Sequence, residues 1–177
     1  IGGIILTKEM AQTLTPLIAG GTGSFSHLET MPTNMPDAFE AGTLNLPGII
    51  GLNEGVSYIE SVGMENIHNH ELALTKAFLE GLRSITGVNI IGKQGILDRT
   101  AVESITIDDM DAASIAYELE SKYHIMTRVG LHCAPRAHQT LGTYPEGTVR
   151  FSFGYANRHE DVEAALSALN TIVKSSK

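Results

Sequence analysis

The sequence predicts an α/β protein, and three observations carry this prediction. Apolar residues with helical spacing run from about 49 to 86, which indicates two helices or one long bent helix. Farther along the chain, short strand-like segments alternate with helical ones. The segment TVRFSFG (148–154) alternates apolar and polar residues, as a strand with one buried face does.

The N-terminal part of the chain is predicted to contain little regular structure. Residues 1–7 and the stretch that continues to residue 18 are interpreted as short strands. Residues 20–48 are rich in Gly, Pro, Thr and Asn and contain few periodic apolar positions. This segment is predicted to be a long loop, a feature that in compact domains is often functional.

The C-terminal part is predicted to be built from strands and capped helices. VNII (88–91), ESITI (103–107) and YHIMTRV (123–129) have the composition of strands. One helix is predicted to begin at Asp108 and Asp109 and to end near Lys122. Asn157 and Glu160 have the spacing of a capping box, which predicts a final helix after them.

Composition excludes several classes of function. A chain of 177 residues with 42% apolar content can form one domain with a core, or a small domain plus part of another. The formal net charge is −8 and no block of Lys or Arg occurs, so no nucleic-acid or anionic-membrane partner is expected. No segment approaches the roughly 18 continuous apolar residues of a membrane span. A single cysteine cannot form an internal disulfide, so a reducing, cytoplasmic compartment is expected.

The N-terminus, IGGIILTKEM, has no initiator methionine, and its apolar run is too short for a signal peptide. The chain is therefore expected to be a piece of a longer one.

The single cysteine, Cys133, lies in the basic segment RVGLHCAPRAH (128–138). Four side chains with basic character flank it: Arg128, His132, Arg136 and His138. Nearby cations favour the thiolate, which is the reactive form of cysteine. Local composition leaves three alternatives open: a buried small hydrophobic residue, a nucleophile, or a zinc ligand together with the two histidines. The first is the commonest fate of a lone cysteine, and no paired metal-ligand spacing supports the third.

Two further features could bind anions. GGTGS (20–24) lacks the third glycine of a dinucleotide fingerprint and no helix clearly follows it, so a turn is favoured over a phosphate cradle. Arg150 lies on the polar face of the predicted strand 148–154, where it is either solvated or available to hold a carboxylate. His68 and His70 are predicted to be solvated. These features leave two hypotheses: an enzyme with a nucleophilic cysteine that acts on a small carboxylate, and a non-catalytic α/β binding or dimerisation module.

A longer part of the sequence resembles a known family. The runs TRVGLHCAP and AHQTLGTYPEGTVRFSFGYANRHEDVEAAL, together with FEAGTLNLPGIIGL (39–52) and LIAGGTGS (17–24), resemble the C-terminal half of the cysteine desulfurases. These are pyridoxal-phosphate enzymes of the class V aminotransferase-like group. The resemblance covers essentially the whole chain and implies a fold type I architecture, with a large cofactor domain and a small C-terminal α/β domain. Residues 1–46 would be the tail of the large domain, and residues 47–177 the linking helix and the small domain.

The resemblance also implies an activity and its residues. A homodimer would remove sulfur from L-cysteine, with Cys133 taking the sulfur as a persulfide and passing it to an acceptor protein, as in iron–sulfur cluster assembly. Arg150 would hold the substrate carboxylate, and Arg128 is a weaker candidate for the same pocket. Thr43 matches the threonine that reaches the cofactor phosphate of the neighbouring subunit. Selenocysteine lyases and cysteine sulfinate desulfinases share the scaffold, so these substrates remain alternatives to L-cysteine.

One element of the family's site is not expected in this chain. In the family, the lysine that forms the Schiff base with pyridoxal phosphate lies just before a Gly-rich strand similar to IGGIIL. That lysine would fall a few residues upstream of Ile1. None of the lysines present here, such as Lys8, Lys76 or Lys93, lies within that motif. The chain alone is therefore expected to be inactive.

Overall fold

The structure, a computed structural model, describes residues 1–21, 23–25 and 27–175. It divides into two compact units, Ile1–Val62 and Gly63–Lys177. The domain boundary predicted after residue 46 is a separate division and stays a prediction. None of the helices in the described residues is long and apolar enough to cross a membrane.

The first unit is mostly irregular. Its regular elements are helix α1 (Lys8–Thr13), a 3-10 helix (Asp37–Phe39) and helix α2 (Leu46–Val62). The strands predicted within residues 1–18 are wrong, because residues 1–7 are irregular and α1 follows them. Thr7 caps α1, since its Oγ1 accepts a hydrogen bond from the N–H of Met10 at 3.2 Å. A short apolar run cannot by itself distinguish a strand from other extended backbone.

The second unit contains the only sheet in the described residues. Helix α3 (Met64–Leu82) precedes β1 (Val88–Ile91) and β2 (Val102–Ile107), and these are followed by α4 (Ala112–Tyr123), β3 (Arg128–Gly130), α5 (Pro135–Leu141), β4 (Thr148–Ser152) and α6 (His159–Ser175). The four strands are antiparallel in the order β1-β2-β4-β3. The mixed α/β class predicted from the sequence is confirmed. Of the two alternatives for residues 49–86, the structure has two helices, α2 and α3, separated at Gly63.

Strand β4 separates the core from the opposite face of the sheet. Val149, Phe151 and Phe153 are at most 9% exposed. The ring of Phe78 on α3 lies 4.9 Å from the ring of Phe151 and 5.1 Å from that of Phe153. Burial of these aromatic side chains is a major favourable term in the unit. Arg150 points away from the core, as the alternation of the strand predicted.

The two C-terminal helices begin at residues other than those predicted. Helix α4 is capped by Asp111, whose Oδ1 accepts the N–H groups of Ala113 and Ser114 at 2.9 and 3.0 Å. The predicted start at Asp108 and Asp109 is wrong, because Asp109 has a φ of +59° and belongs to the turn after β2.

At α6, Asp161 has the role that was predicted for Glu160. Its Oδ2 accepts the backbone N–H of Arg158 at 3.0 Å and the Nδ2–H of Asn157 at 3.1 Å. The helix therefore begins one residue later than a capping box of Asn157 and Glu160 would place it.

Strand β3 is shorter than predicted. Residues 123–129 were expected to be extended, but α4 continues to Tyr123 and only Arg128–Gly130 pair with β4. His124 ends α4 in the left-handed conformation, with a φ of +58°. Residues 125–127 connect α4 to the sheet and are not paired with another strand, so β3 begins only at Arg128.

A buried ion pair stabilises the segment between β1 and β2. Arg99 Nη2 lies 2.5 Å from Glu103 Oε2, and the two side chains are 8% and 0% exposed. Arg99 Nη1 also donates to the carbonyl oxygens of Lys93 and Gly95, both at 2.8 Å. Burial raises the pKa of Glu103 to about 7, against the opposing effect of the Arg99 charge. The pair thus joins the loop to the core at the cost of desolvating two charged groups.

Replacement of Glu103 by Leu should destabilise the protein strongly, because Arg99 would keep its charge in a buried site without a counter-charge. The expected loss in the free energy of unfolding is about 3–5 kcal/mol. Urea denaturation followed by circular dichroism measures it. The matched control is Glu118→Gln, which removes the exposed pair with Lys122 and should cost no more than about 1 kcal/mol. Equal losses in the two variants would contradict the role of the buried pair.

Candidate active site

Cys133 lies in a tight turn between β3 and α5. The N–H of Ala134 donates to the carbonyl of Leu131 at 2.8 Å, and the two central residues, His132 and Cys133, have φ values of +49° and +59°. Positive φ at both central positions is a feature of the type I′ turn. For residues other than glycine it costs about 1–2 kcal/mol each. The side chain of Cys133 is exposed, so the alternative of a buried hydrophobic residue is wrong.

Two arginines meet on the face of the sheet opposite the core. Arg128 on β3 is the direct antiparallel partner of Arg150 on β4. Directly opposite residues on neighbouring strands have Cβ atoms about 4.5–5.5 Å apart, and like charges there are destabilising. Among the described residues, neither guanidinium has a carboxylate partner, and Nε of Arg150 is buried without a hydrogen bond. This arrangement is suited to an anion that bridges the two side chains.

Two histidines flank the turn. Nε2 of His132 lies 3.2 Å from Thr148 Oγ1, and Nδ1 of the buried His138 lies 2.7 Å from Thr143 Oγ1. The two imidazole rings are 5.7 Å apart. Burial lowers the pKa of His132, and the charges of Arg150, His138 and Arg128 lower it further. The cationic character of the site therefore comes from the arginines, and His132 contributes a neutral ring.

The structure does not support the zinc alternative for Cys133. In the part of the chain that is described, no group of three or more His, Cys, Asp or Glu side chains is arranged to hold a metal ion. His138 already has a hydrogen bond to Thr143 and is 6% exposed.

The two histidines of α3, His68 and His70, differ in exposure. His68 is exposed, in agreement with the prediction. The prediction is wrong for His70, which is partly buried. Its Nε2 lies 2.8 Å from the carbonyl oxygen of Asn157, and its ring meets Tyr155 edge-on at 5.3 Å. His70 therefore links α3 to the segment between β4 and α6.

The remaining predicted site residues belong to the first unit. Thr43 is exposed and follows Gly42, whose φ is +82°, a short distance before α2 begins. In GGTGS, Gly20, Gly21 and Gly23 all have positive φ, as expected of a turn, and Thr22 lies outside the described residues. The structure therefore unites Cys133, Arg128 and Arg150 in one unit and places Thr43 in the other.

Sequence reasoning missed the two threonines and the conformation of the turn. Thr148 was assigned to the polar face of its strand, but it is only 1% exposed and contacts His132. The alternation of the strand did place Thr148 on the same face as Arg150, and this was the sequence signal that could have identified Thr148 as a site residue. The signal for positive φ in the turn was weak. Histidine is one of the residue types enriched there, but cysteine is not, and no glycine or asparagine occupies the two central positions.

Comparison with known proteins identifies the family of the chain. The family model described as aminotransferase class-V matches residues 1–165. The chain belongs to the class-V aminotransferase family. This finding confirms the family resemblance on which the sequence-based expectations rested.

Several relatives of this class-V aminotransferase chain are named as probable cysteine desulfurases. A probable cysteine desulfurase of Pyrococcus abyssi is 34% identical over 99% of this chain and 43% of its own length. One from Mycobacterium leprae is 30% identical over 96% of the chain and 40% of its own length. Among solved structures, the apo cysteine desulfurase of Thermococcus onnurineus has a TM-score of 0.83 at 33% identity and covers 95% of this chain and 42% of its own. The chain thus spans about two fifths of the length of these relatives.

The pairing of β3 with β4 makes Gly147 sensitive to substitution. Gly147 has a φ of +79°, and a Cβ atom added there would lie 2.6 Å from the Cα of Gly130 at the end of β3. Gly147→Ala should therefore force the start of β4 away from β3 and lower the free energy of unfolding by about 3 kcal/mol, as steric overpacking adds to backbone strain.

Thermal and urea denaturation measure the effect of Gly147→Ala, and the control is Gly154→Ala. A Cβ atom at Gly154 meets no atom within 4 Å, and the residue is not in the positive-φ region. The control should stay within about 0.5 kcal/mol of the parent protein. A Gly147→Ala variant as stable as the control would contradict the close approach of the two glycines.

Proposed function

We propose that the protein containing this chain is a pyridoxal-phosphate-dependent cysteine desulfurase. It converts L-cysteine to L-alanine and transfers the sulfur to Cys133 as a persulfide. The observation that carries the proposal is the combination, at one end of the β3–β4 pair, of an exposed cysteine in a strained turn and two opposed arginines without carboxylate partners. Strained backbone at an exposed nucleophile is a recurrent property of functional sites. Relatives named probable cysteine desulfurases support the assignment.

Arg150 and Arg128 have the role of binding the substrate. A guanidinium holds a carboxylate through two parallel hydrogen bonds, which fixes its orientation as well as its position. With Arg150 partly buried and Arg128 exposed, the inner arginine is the clamp and the outer one completes the anion site. A substrate fixed in this way directs its sulfur toward the turn that carries Cys133.

Cys133 is the sulfur acceptor. Its thiolate attacks the sulfur of the substrate, so that a new S–S bond forms as the substrate Cβ–S bond breaks. Pyridoxal phosphate, when bound, supplies the electron sink for the charge that develops on the substrate carbons. Cβ then gains a proton and becomes the methyl group of L-alanine, while Cys133 keeps the sulfur as a persulfide. An acceptor protein would take this sulfur from the exposed turn.

The described residues fit part of a site for such a cofactor. The hydroxyl of Thr43 is exposed beside Gly42, and it would hold the phosphate of the neighbouring subunit in a homodimer. Lys93 donates its ammonium protons to the carbonyls of Leu97 and Asp98, and Lys76 pairs with Glu80, so both have other partners. Neither lysine is proposed as the one that forms the Schiff base. A cytoplasmic location is proposed with the function.

Cys133→Ser in the complete enzyme should abolish persulfide formation and L-alanine release from L-cysteine, since a hydroxyl cannot accept the sulfur. The absorbance of the bound cofactor should be unchanged. Alanine is measured by amino-acid analysis, with L-selenocysteine and L-cysteine sulfinate as parallel substrates. The control is Ala134→Ser, which introduces the same hydroxyl one residue farther along. Normal alanine release from L-cysteine by Cys133→Ser would remove the nucleophile assignment.

Arg150→Lys should keep the charge and lose the bidentate geometry. We expect kcat/KM for L-cysteine to fall about tenfold to a hundredfold, where each factor of ten corresponds to about 1.36 kcal/mol. Arg136→Lys, on the exposed surface of α5, should leave the kinetics unchanged. Cysteamine lacks a carboxylate and should show no comparable penalty. Wild-type kinetics for both Arg150→Lys and Arg150→Ala would return Arg150 to the interpretation of a solvated strand residue.

A further inference from the structure

Two imidazole–hydroxyl contacts lie near the Cys133 turn, one from the turn itself and one from α5. His132 contacts Thr148 at 3.2 Å, and His138 contacts Thr143 at 2.7 Å. The two threonines are 1% and 8% exposed, so both partners are fixed by the surrounding structure. Thr148 is the first residue of β4 and the strand partner of Gly130. A bond from His132 to Thr148 therefore joins the turn directly to the strand pair that carries the two arginines.

The hydrogen bonding of His132 indicates its tautomer. Nδ1 is buried and has no hydrogen-bond partner in the described part of the chain. A buried N–H without an acceptor is rarer and costlier than an unused lone pair, so the proton belongs on Nε2. In this form Nε2–H donates to Thr148 Oγ1 at 3.2 Å. A neutral ring can make this bond while its other nitrogen stays buried without a proton.

The turn requires such support because its own conformation is unfavourable. His132 and Cys133 both have positive φ, and residues with side chains persist there only when the surroundings hold them. The single backbone hydrogen bond within the turn, from Ala134 to Leu131, does not by itself select the signs of these angles. The bond to Thr148 fixes the ring, and the ring fixes the backbone of the residue that precedes Cys133.

We propose that His132 is a positioning residue: its neutral imidazole, held by Thr148, keeps Cys133 in the strained turn beside the paired arginines. The proposal rests on the function proposed above, for which Cys133 is the sulfur acceptor. Protonation of His132 would put a proton on the buried Nδ1 and bring a further positive charge close to Arg128 on β3, Arg150 on β4 and His138 on α5. The turn should therefore loosen in acid, and only below the ordinary pKa range of histidine, since burial and then these charges lower the pKa of His132 against the smaller opposing effect of a hydrogen bond to the Thr148 backbone.

The test uses the complete enzyme and three variants. Two of them change Thr148, and the third changes a matched position. Thr148→Val removes the hydroxyl and keeps the shape, Thr148→Ser keeps the hydroxyl, and Thr106→Val makes the same change on the same face of the sheet in β2. Two quantities are measured: the hydrogen-exchange protection factor of the peptide that contains residues 131–134, and steady-state alanine formation. The protection factor does not depend on the proposed function.

Thr148→Val should lower the protection factor of the turn and kcat by about tenfold each, the scale of one lost hydrogen bond. KM for L-cysteine should stay within about twofold, because Arg150 is unchanged. Thr148→Ser and Thr106→Val should resemble the parent enzyme in both measurements. Parent-like protection or parent-like kcat in Thr148→Val would overturn the positioning role, and so would failure of Thr148→Ser to rescue.

His132→Gln provides a second test that does not depend on the folding of the Thr148 variants. The Gln side-chain amide can donate from a position close to that of Nε2, and it does not titrate. At neutral pH its turn should keep protection within about threefold of the parent value, since one hydrogen bond is retained. The decline of protection in acid, present in the parent enzyme, should be absent. An identical acid decline in His132→Gln would overturn the proposal. Alanine release by Cys133→Ser would instead overturn the proposed function and leave the protection data in place.

Discussion

The antiparallel pairing of β3 with β4 is the constraint on which the candidate site depends. It places Arg128 opposite Arg150 and Gly130 opposite Thr148, and the turn that contains Cys133 begins immediately after β3. A shift of one residue in this pairing would exchange the two faces of β3, because side chains alternate along a strand. Burial of Val149 and its neighbours fixes which face of β4 points into the core. The core therefore orients β4, and the pairing of β3 with β4 assembles the site.

Several features of the site are unfavourable when each is considered alone. Two arginines face each other, two residues with side chains adopt positive φ, and polar atoms of His132 and Arg150 are buried without partners. These features lie together in one strand pair and the turn that follows it. Positive φ also occurs at Asp98, Asp109 and His124, and the Arg99–Glu103 pair also contains buried polar atoms without partners. Stability comes from elsewhere in the second unit, from the apolar contacts between the sheet and α3, α4 and α6. A stable core that carries a locally strained polar site is the arrangement expected of a functional protein.

Predictions from the sequence succeeded where many residues contributed to one pattern. The alternation in 148–154 and the helical spacing in 49–86 each involve many positions, and both identified their elements correctly. Predictions failed where one or two residues decide the outcome. Asp111, rather than Asp108 and Asp109, caps α4, because only its carboxylate reaches the N–H groups of the first turn. Near the N-terminus, short apolar runs were interpreted as strands although no partner strand exists in the described residues.

The sequence by itself determined the family, the α/β class, the buried face of β4 and the identity of the nucleophile candidate, because each is recorded in residue types and their spacing. Tertiary structure decided that Arg128 and Arg150 are direct neighbours, that Cys133 is exposed on a strained turn, and that Thr148 holds His132. These facts join residues that are distant in sequence, or they concern backbone angles that the residue types do not favour. Pairing and packing fix such features only after the chain has folded, so no local pattern could predict them.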